Sequence, residues 1–256
     1  MIELENVTQH YGVRPVLKGI NLRINRGELV AVLGPNGMGK STLLACMAGV
    51  LQPQHGTVTI NGLVRRSSVE NEIAIRRTAV YLPDQAFLPG ERTVREWILA
   101  VGRLYEIDED RLLSHSDRLL NLFNMTDQAD APIRSCSAGQ KKKAALAGAL
   151  ISETPLLLLD EPFSGGLDPS GLLALKRVLQ RLVREQDCTV VLTSPVPEIV
   201  EEIADRIAIL IDGRITAFDS VEGLRRQTRK TGSLGQVLEE ILYPETSEKL
   251  ADYFQE

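Results

Sequence analysis

Apolar residues along the chain fall into two alternating kinds of pattern. Short continuous runs occur at 29–33 (Leu-Val-Ala-Val-Leu), 78–82, 156–159 (four leucines), 189–192 and 207–211. A run that is apolar at every position predicts a strand covered on both faces, as in a parallel sheet. Helix-period patterns lie between these runs, at 41–50, 171–184 and 198–204. Strands alternating with helices predict an α/β fold around a central, mainly parallel sheet.

Two regions break the rhythm. Residues 1–27 and 55–65 alternate apolar and polar, with turn residues at Asn25-Arg26-Gly27 and Asn61-Gly62. They predict antiparallel strands forming a β subdomain at one edge. Residues 93–150 carry no good strand but show helical patterns at 94–104, 110–123 and 141–150. They predict a helical insertion, about 86–152, between two strands of the sheet. From about 221 the chain is charged and loosely helical. The expected organisation is one domain over 1–220 followed by a helical tail over 221–256.

A chain of 256 residues can bury a substantial core without disulfides or metals. Its formal net charge of -5 offers no global electrostatic footprint for a nucleic acid. The three cysteines, Cys46, Cys136 and Cys188, form no C-x-x-C pair, which argues against a disulfide scaffold and a zinc knuckle. Met1-Ile2-Glu3-Leu4-Glu5 is acidic and lacks the apolar stretch of a signal peptide. No run approaches the roughly 18 apolar residues that span a bilayer. The expected location is cytoplasmic.

Candidate chemistry concentrates in two segments. Gly34-Pro35-Asn36-Gly37-Met38-Gly39-Lys40-Ser41-Thr42 matches G-x-x-x-x-G-K-[ST] and lies between an apolar strand run and a helical pattern. Wrapping backbone around a triphosphate needs glycines, which let N–H groups turn inward. The following helix adds the partial positive charge of its N-terminus. Lys40 would reach the β/γ-phosphates and Ser41 would offer a hydroxyl to Mg²⁺. The second segment is Leu156-Leu157-Leu158-Leu159-Asp160-Glu161-Pro162. It places two acids at the carboxyl edge of a parallel sheet, where α/β ligands bind. Asp160 suits the metal side of the site, and Glu161 the orientation and deprotonation of an attacking water.

With both segments in hand, nearly the whole chain resembles the ATP-binding subunits of ABC transporters. Cys136-Ser137-Ala138-Gly139-Gln140, shortly before Asp160, is similar to the family signature L-S-G-G-Q, with departures at Cys136 and Ala138. The resemblance implies a P-loop NTPase (RecA-like) fold, ATP with Mg²⁺, and hydrolysis at the seam of a head-to-tail dimer. In such a dimer Ser137, Gly139 and Gln140 meet the nucleotide of the other subunit. Tyr11 takes the place of an adenine-stacking aromatic. Ser164-Gly165-Gly166-Leu167-Asp168 resembles the loop that crosses the dimer seam. Asp84-Gln85 falls where a glutamine reaches Mg²⁺ and the attacking water, and either residue fits that role. The segment 81–99, with Thr93-Val94-Arg95-Glu96 after Leu88-Pro89-Gly90, leans towards the ABC-2 exporter branch.

The implied partners are a second ATPase subunit, like or unlike, and a separate membrane-spanning permease, placing the chain on the inner face of the cell membrane. No nucleic acid is expected as a partner. One departure is pointed. Pro195 stands where the family has a histidine against the γ-phosphate, and proline cannot donate. Thr193 or Ser194 could supply a hydroxyl instead. Alternatives are an ATP-binding regulatory switch with little turnover, or a soluble ABC ATPase outside transport. The runs Lys141-Lys142-Lys143, Arg65-Arg66 and Arg225-Arg226 read as solvated surface, and Cys46 as a small core residue.

Overall fold

A computed structural model of the protein describes residues 2–228 and 232–242. The chain opens with β1 (Ile2–Tyr11), β2 (Arg14–Ile24), β3 (Leu29–Leu33) and α1 (Lys40–Ala48). Next come β4 (His55–Ile60), β5 (Leu63–Val64), α2 (Val69–Thr78) and β6 (Ala79–Leu82). Three helices follow, α3 (Val94–Leu104), α4 (Glu109–Leu122) and α5 (Ala138–Ile151). The rest alternates: β7 (Leu156–Leu159), α6 (Pro169–Gln186), β8 (Thr189–Thr193), α7 (Pro197–Ile203), β9 (Arg206–Ile211), β10 (Arg214–Asp219), α8 (Val221–Thr228) and α9 (Leu234–Leu242).

The strands form two sheets. A six-stranded sheet has the order β10-β9-β3-β8-β7-β6, parallel except for the β9–β10 hairpin. An antiparallel sheet has the order β2-β1-β4-β5. The mainly parallel sheet, the antiparallel edge and the helices between β6 and β7 agree with the fold class expected from the sequence.

The apolar runs have a simple cause. Along β3, Leu29, Ala31 and Leu33 point into one core, while Val30 and Val32 point into the other. β7 divides likewise, with Leu157 and Leu159 on one face and Leu156 and Leu158 on the other. Alternation is invisible in such strands because both faces are dry. One core lies between the parallel sheet, α1 and the antiparallel sheet; the other lies under α3 to α9.

Three features depart from the sequence reading. Residues 69–78 form α2, so Thr78 ends a helix and does not begin β6. That helix is polar and buries only Ile75, leaving almost no hydrophobic period to detect. β10 extends the sheet by pairing back on β9. In the segment from 221, α8 and α9 bury Val221, Leu224, Leu234, Val237 and Leu238 in the helical-side core. Residues 229–231 and 243–256 of that segment lie outside the described residues.

Register sets the functional edge. Val32 pairs with Thr193 across β3–β8, and Leu159 pairs with Leu192 across β7–β8 and with Leu82 across β6–β7. The residues that follow these strands (Gly34, Asp160, Ser194 and Asp84) therefore leave the sheet along its carboxyl edge, the ligand edge of open α/β sheets.

Candidate active site

The loop from Gly34 to Gly39 is shaped by places where no side chain fits. Gly34 has φ 153°, and a Cβ there would stand 2.1 Å from the Leu210 carbonyl oxygen of β9. Gly39 has φ 100° and would bring a Cβ to 2.9 Å from Val16 Cγ1 of β2. Gly39 is also the N-cap of α1 and offers no side-chain oxygen to the first turn. The orphan N–H groups and the dipole of that turn therefore face the loop, which makes an anion cradle. Lys40 is buried and donates Nζ to the Gly34 carbonyl at 2.8 Å and to that of Pro35 at 3.1 Å. Burial pushes its ammonium below the usual lysine range, opposed by the charges of Glu161 and Asp160.

A cavity of about 460 Å³ opens over this cradle. It is lined by Tyr11, Arg14, Val16, Asn36, Gly37, Gly39, Lys40, Ser41, Thr42 and Glu161. Pro35 and Met38 belong to the same loop, between β3 and α1. Tyr11, at the end of β1, is 56% exposed at this cavity. An exposed ring beside a phosphate cradle is a ready face for a flat base.

The acids follow β7. Asp160 is 2% exposed and accepts a hydrogen bond from Thr193 Oγ1 at 2.6 Å. The same Thr193 oxygen accepts from the Glu161 backbone N–H at 2.8 Å. Glu161 has φ 47°, a left-handed conformation that costs free energy for a residue with a side chain and is held here by the bond from its N–H to Thr193. That turn brings Glu161 to the wall of the phosphate cavity. Thr193 and Ser194 are both buried, and Ser194 Oγ accepts from Val196 N–H at 3.1 Å. The Thr193 hydroxyl is thus occupied in holding the acidic turn, beside the place where Pro195 interrupts the expected pattern.

Asp84 and Gln85 lie in the loop after β6, and both are exposed. Asp84 accepts from Ser164 Oγ at 3.4 Å, and Lys142 Nζ stands 3.7 Å from Asp84 Oδ1. Lys142 and Lys143 are buried (7% and 6% exposed), which corrects the expectation that the lysine run faces water. Burial lowers the Lys142 pKa, opposed by Asp84, Glu161 and Asp160. Lys143 donates to Asp168 Oδ2 at 2.9 Å, and Asp168 caps α6 by accepting from Gly171 N–H at 2.8 Å. The Lys143 bond, with that of Gly171, holds the Asp168 carboxyl below the usual range. Arg65 is likewise buried, donating to Glu72 at 2.9 Å and to the Met47 carbonyl at 2.6 Å. Arg225 is paired with Glu201. Cys46 is core, as expected. Except for Glu72, seven residues from Arg65, the acidic partner in each of these pairs is distant in sequence.

Ser137 and Gln140 start α5 as a capping box: Gln140 N–H donates to Ser137 Oγ at 3.2 Å, and Ser137 N–H donates to Gln140 Oε1 at 2.8 Å. A Cβ on Gly139 would stand 2.4 Å from the Gly166 carbonyl oxygen, so α5 and the 164–168 loop touch backbone to backbone. Ser137, Gly139, Gln140 and Asp168 do not line the phosphate cavity of their own chain. The chain brings Tyr11, the loop 34–42 and Glu161 together, with Asp160 buried behind, and leaves the 137–140 segment on a separate surface.

A parallel sheet with a glycine-rich phosphate cradle after its central strand, and a buried acid after the strand two places along, defines a P-loop nucleoside triphosphatase. The comparisons with known proteins narrow the class. The ABC transporter family model matches residues 17–164. A daunorubicin resistance ATP-binding protein of Streptomyces coeruleorubidus is 32% identical over 243 residues, which cover 91% of this chain and 75% of that protein. The solved structure of an ATP-binding subunit of an ABC transporter superposes with a TM-score of 0.84 at 29% identity, covering 94% of this chain and 98% of the other. A dimeric ATP-binding cassette in a post-hydrolysis state, bound to ADP and Pi, superposes with a TM-score of 0.78 at 26% identity, covering 86% and 98%. The chain belongs to the ABC transporter family and is an ATP-binding subunit of that family, an ATPase whose hydrolysis powers transport.

Proposed function

We propose that two copies, or this chain and a related one, sandwich two ATP molecules head to tail, each chain lending Ser137, Gly139 and Gln140 to the nucleotide held by the other. The observation that carries this reading is the separation just described: one chain holds the cradle and Glu161 but keeps the 137–140 segment outside its own cavity. The dimeric cassettes among the structural relatives support it.

In this reading Gly34 to Thr42 hold the phosphates, Lys40 moves from its own carbonyls to the β/γ-phosphate oxygens, and Tyr11 stacks on the base. Glu161 orients the attacking water and takes its proton, and positioning with charge neutralisation supplies most of the catalysis. The oxygens of Ser41 and Asp160 suit Mg²⁺, a hard cation that takes few protein ligands beside phosphates, with Asp84 or Gln85 as the remaining candidate. When bound, Mg²⁺ neutralises charge developing between the β- and γ-phosphates. Among the described residues Asp84 is the one of that pair tied to the acidic edge, through Ser164 and Lys142.

Among the described residues no helix is long and apolar enough to cross a membrane. We place the chain on the inner face of the cell membrane, docked to a membrane-spanning subunit. The groove bounded by α2, β6 and the end of α3, about 590 Å³, suits that contact. Leu104 (78% exposed) and Ile73 (50%) line it beside Tyr105, with Arg76 and Arg77 at its rim. Contiguous exposed apolar surface rimmed by charge marks a protein contact.

The test is phosphate release by the purified chain with Mg-ATP, compared with Glu161→Gln. Turnover abolished by the substitution, with ATP binding intact, is the expected result. Equal rates in the two proteins would refute the role given to Glu161.

A further inference from the structure

Lys142 lies further along the same helix, α5, whose first residues form the signature segment. Its surroundings are unusual for a lysine. The stem runs under the 164–168 loop, where a Cβ on Gly165 would meet Lys142 Cδ at 3.6 Å. The ammonium reaches across to the loop after β6, donating to the Asp84 carbonyl at 3.4 Å and standing 3.7 Å from its carboxylate. Ser164 Oγ donates to the Glu161 carbonyl at 2.8 Å and stands 3.4 Å from Asp84 Oδ1. One buried cation therefore joins the signature helix, the loop that follows Glu161 and the loop after β6. Lys142 is the buried member of the pair and Asp84 the partly exposed one, so losing Asp84 strips a buried ammonium of the first of the acids that compensate it, and losing Lys142 unties the loop after β6 from α5.

We propose that Lys142 and Asp84 form a two-residue lock that couples a subunit's own acidic edge to the signature segment it lends to its neighbour. Lys142 is a positioning residue here. It sets where α5 stands relative to Glu161, so that the state of one ATP site is felt at the other. The inference rests on the head-to-tail reading, and it predicts that substitutions at two positions far apart in sequence act on turnover as one. Substitutions in a bystander pair would multiply.

The experiment is a double-mutant cycle on the full chain with Lys142→Gln, Asp84→Gln and the double variant, plus Lys142→Arg. Lys142→Gln should lower kcat about tenfold with KM changed less than about threefold, because the cradle is untouched, and Asp84→Gln should lower kcat at least as much. The double variant should be no slower than Asp84→Gln alone, so that the two effects do not multiply, and Lys142→Arg should stay close to the parent. The cycle is repeated in the Glu161→Gln background, reading the ATP concentration at which dimers form by size-exclusion chromatography. That midpoint should rise about tenfold in the single variants and no further in the double. Effects that simply multiply, or a silent Lys142→Gln, overturn the lock in either readout. A parent that neither turns over nor dimerises with ATP refutes the head-to-tail dimer of like chains and the lock within it. A parent that dimerises without turnover refutes hydrolysis alone, and the dimerisation cycle still decides the lock.

Discussion

Replacing Thr193 by Val isolates the device that holds the acidic turn. The substitution keeps the shape and deletes a hydroxyl that is fully buried and makes two bonds. The bond donated to the Asp160 carboxylate is charge-assisted, worth about 1.5–3 kcal/mol. The Glu161 N–H loses its acceptor, and an unmet buried donor costs about 1–3 kcal/mol. Since the two bonds share one oxygen and do not add fully, the expected destabilisation is about 2–5 kcal/mol. At about 2–4 °C per kcal/mol for a chain of this size, Tm falls by about 4–20 °C. The catalytic effect is separate. Glu161 faces the cavity only because its backbone is pinned in the left-handed region, and releasing it should cost about 1.4–2.8 kcal/mol of barrier, or 10–100-fold in kcat. Thermal scans and steady-state turnover of Thr193→Val and Thr193→Ser measure both effects, with serine retaining the hydroxyl and most of the parent's behaviour. Parent-like Tm and kcat in the valine variant would show that the hydroxyl bridge carries neither the fold nor the aim of Glu161.

Further predictions concern other parts of the molecule. Gly139→Ala places a methyl against the Gly166 carbonyl. It should lower turnover at least about tenfold by spoiling dimer formation, while ATP binding to the monomer, read by fluorescent-nucleotide titration, stays unchanged. Tyr11→Ala removes an exposed ring worth about 1–2 kcal/mol as a stacking face, so Kd for ATP should rise about 5–30-fold with Tm unmoved. Tyr11→Trp should restore the affinity. Burial pushes the Cys46 and Cys188 thiols up to about 12 from 9.0. Below pH 9 both are protonated in folded and unfolded chains alike; above it the unfolded chain releases protons that the folded one keeps, so stability falls as pH rises from 9 towards 12. Urea unfolding at pH 8.5 and pH 10 should show a smaller loss in Cys46→Ala/Cys188→Ala than in the parent. Leu104→Asp should abolish association with a membrane-spanning partner and leave ATPase activity of the isolated chain intact.

The parallel sheet was legible because its strands are dry on both sides, and continuous runs such as Leu156 to Leu159 have few other uses. The phosphate cradle was legible because its glycines, lysine and serine fall in one contiguous stretch, although the atoms that exclude a Cβ at 34 and 39, the Leu210 carbonyl and Val16, belong to other strands. What stayed hidden depends on contacts between remote segments. No local period marks α2, which is polar on nearly every side. Nothing near Lys142, Lys143 or Arg65 in sequence announces burial, since Asp84, Asp168 and Glu72 reach them only through the fold. Thr193 read as a possible phosphate donor, and three-dimensional packing shows its hydroxyl bound to the Asp160–Glu161 turn. The neighbours of Asp84, Ser164 and Lys142, likewise come from remote segments.

The position of β3 has a consequence for how the protein is made. Its neighbours are β8 and β9, with Val30 lying between Val191 and Arg206, and Leu29 N–H is bonded to Asp205 at 2.7 Å. The strand that carries the phosphate loop therefore leaves the ribosome roughly 160 residues ahead of the strands that must flank it. At about 5–20 residues per second it waits on the order of 10–30 s, exposed and apolar, before either partner exists. Nucleotide cannot shelter this segment during that interval, because the cradle is assembled from both ends of the chain. The first partner available to it is the antiparallel β1–β2 hairpin, which closes from neighbouring residues, shares a core with Val30 and Val32, and needs nothing still to be translated.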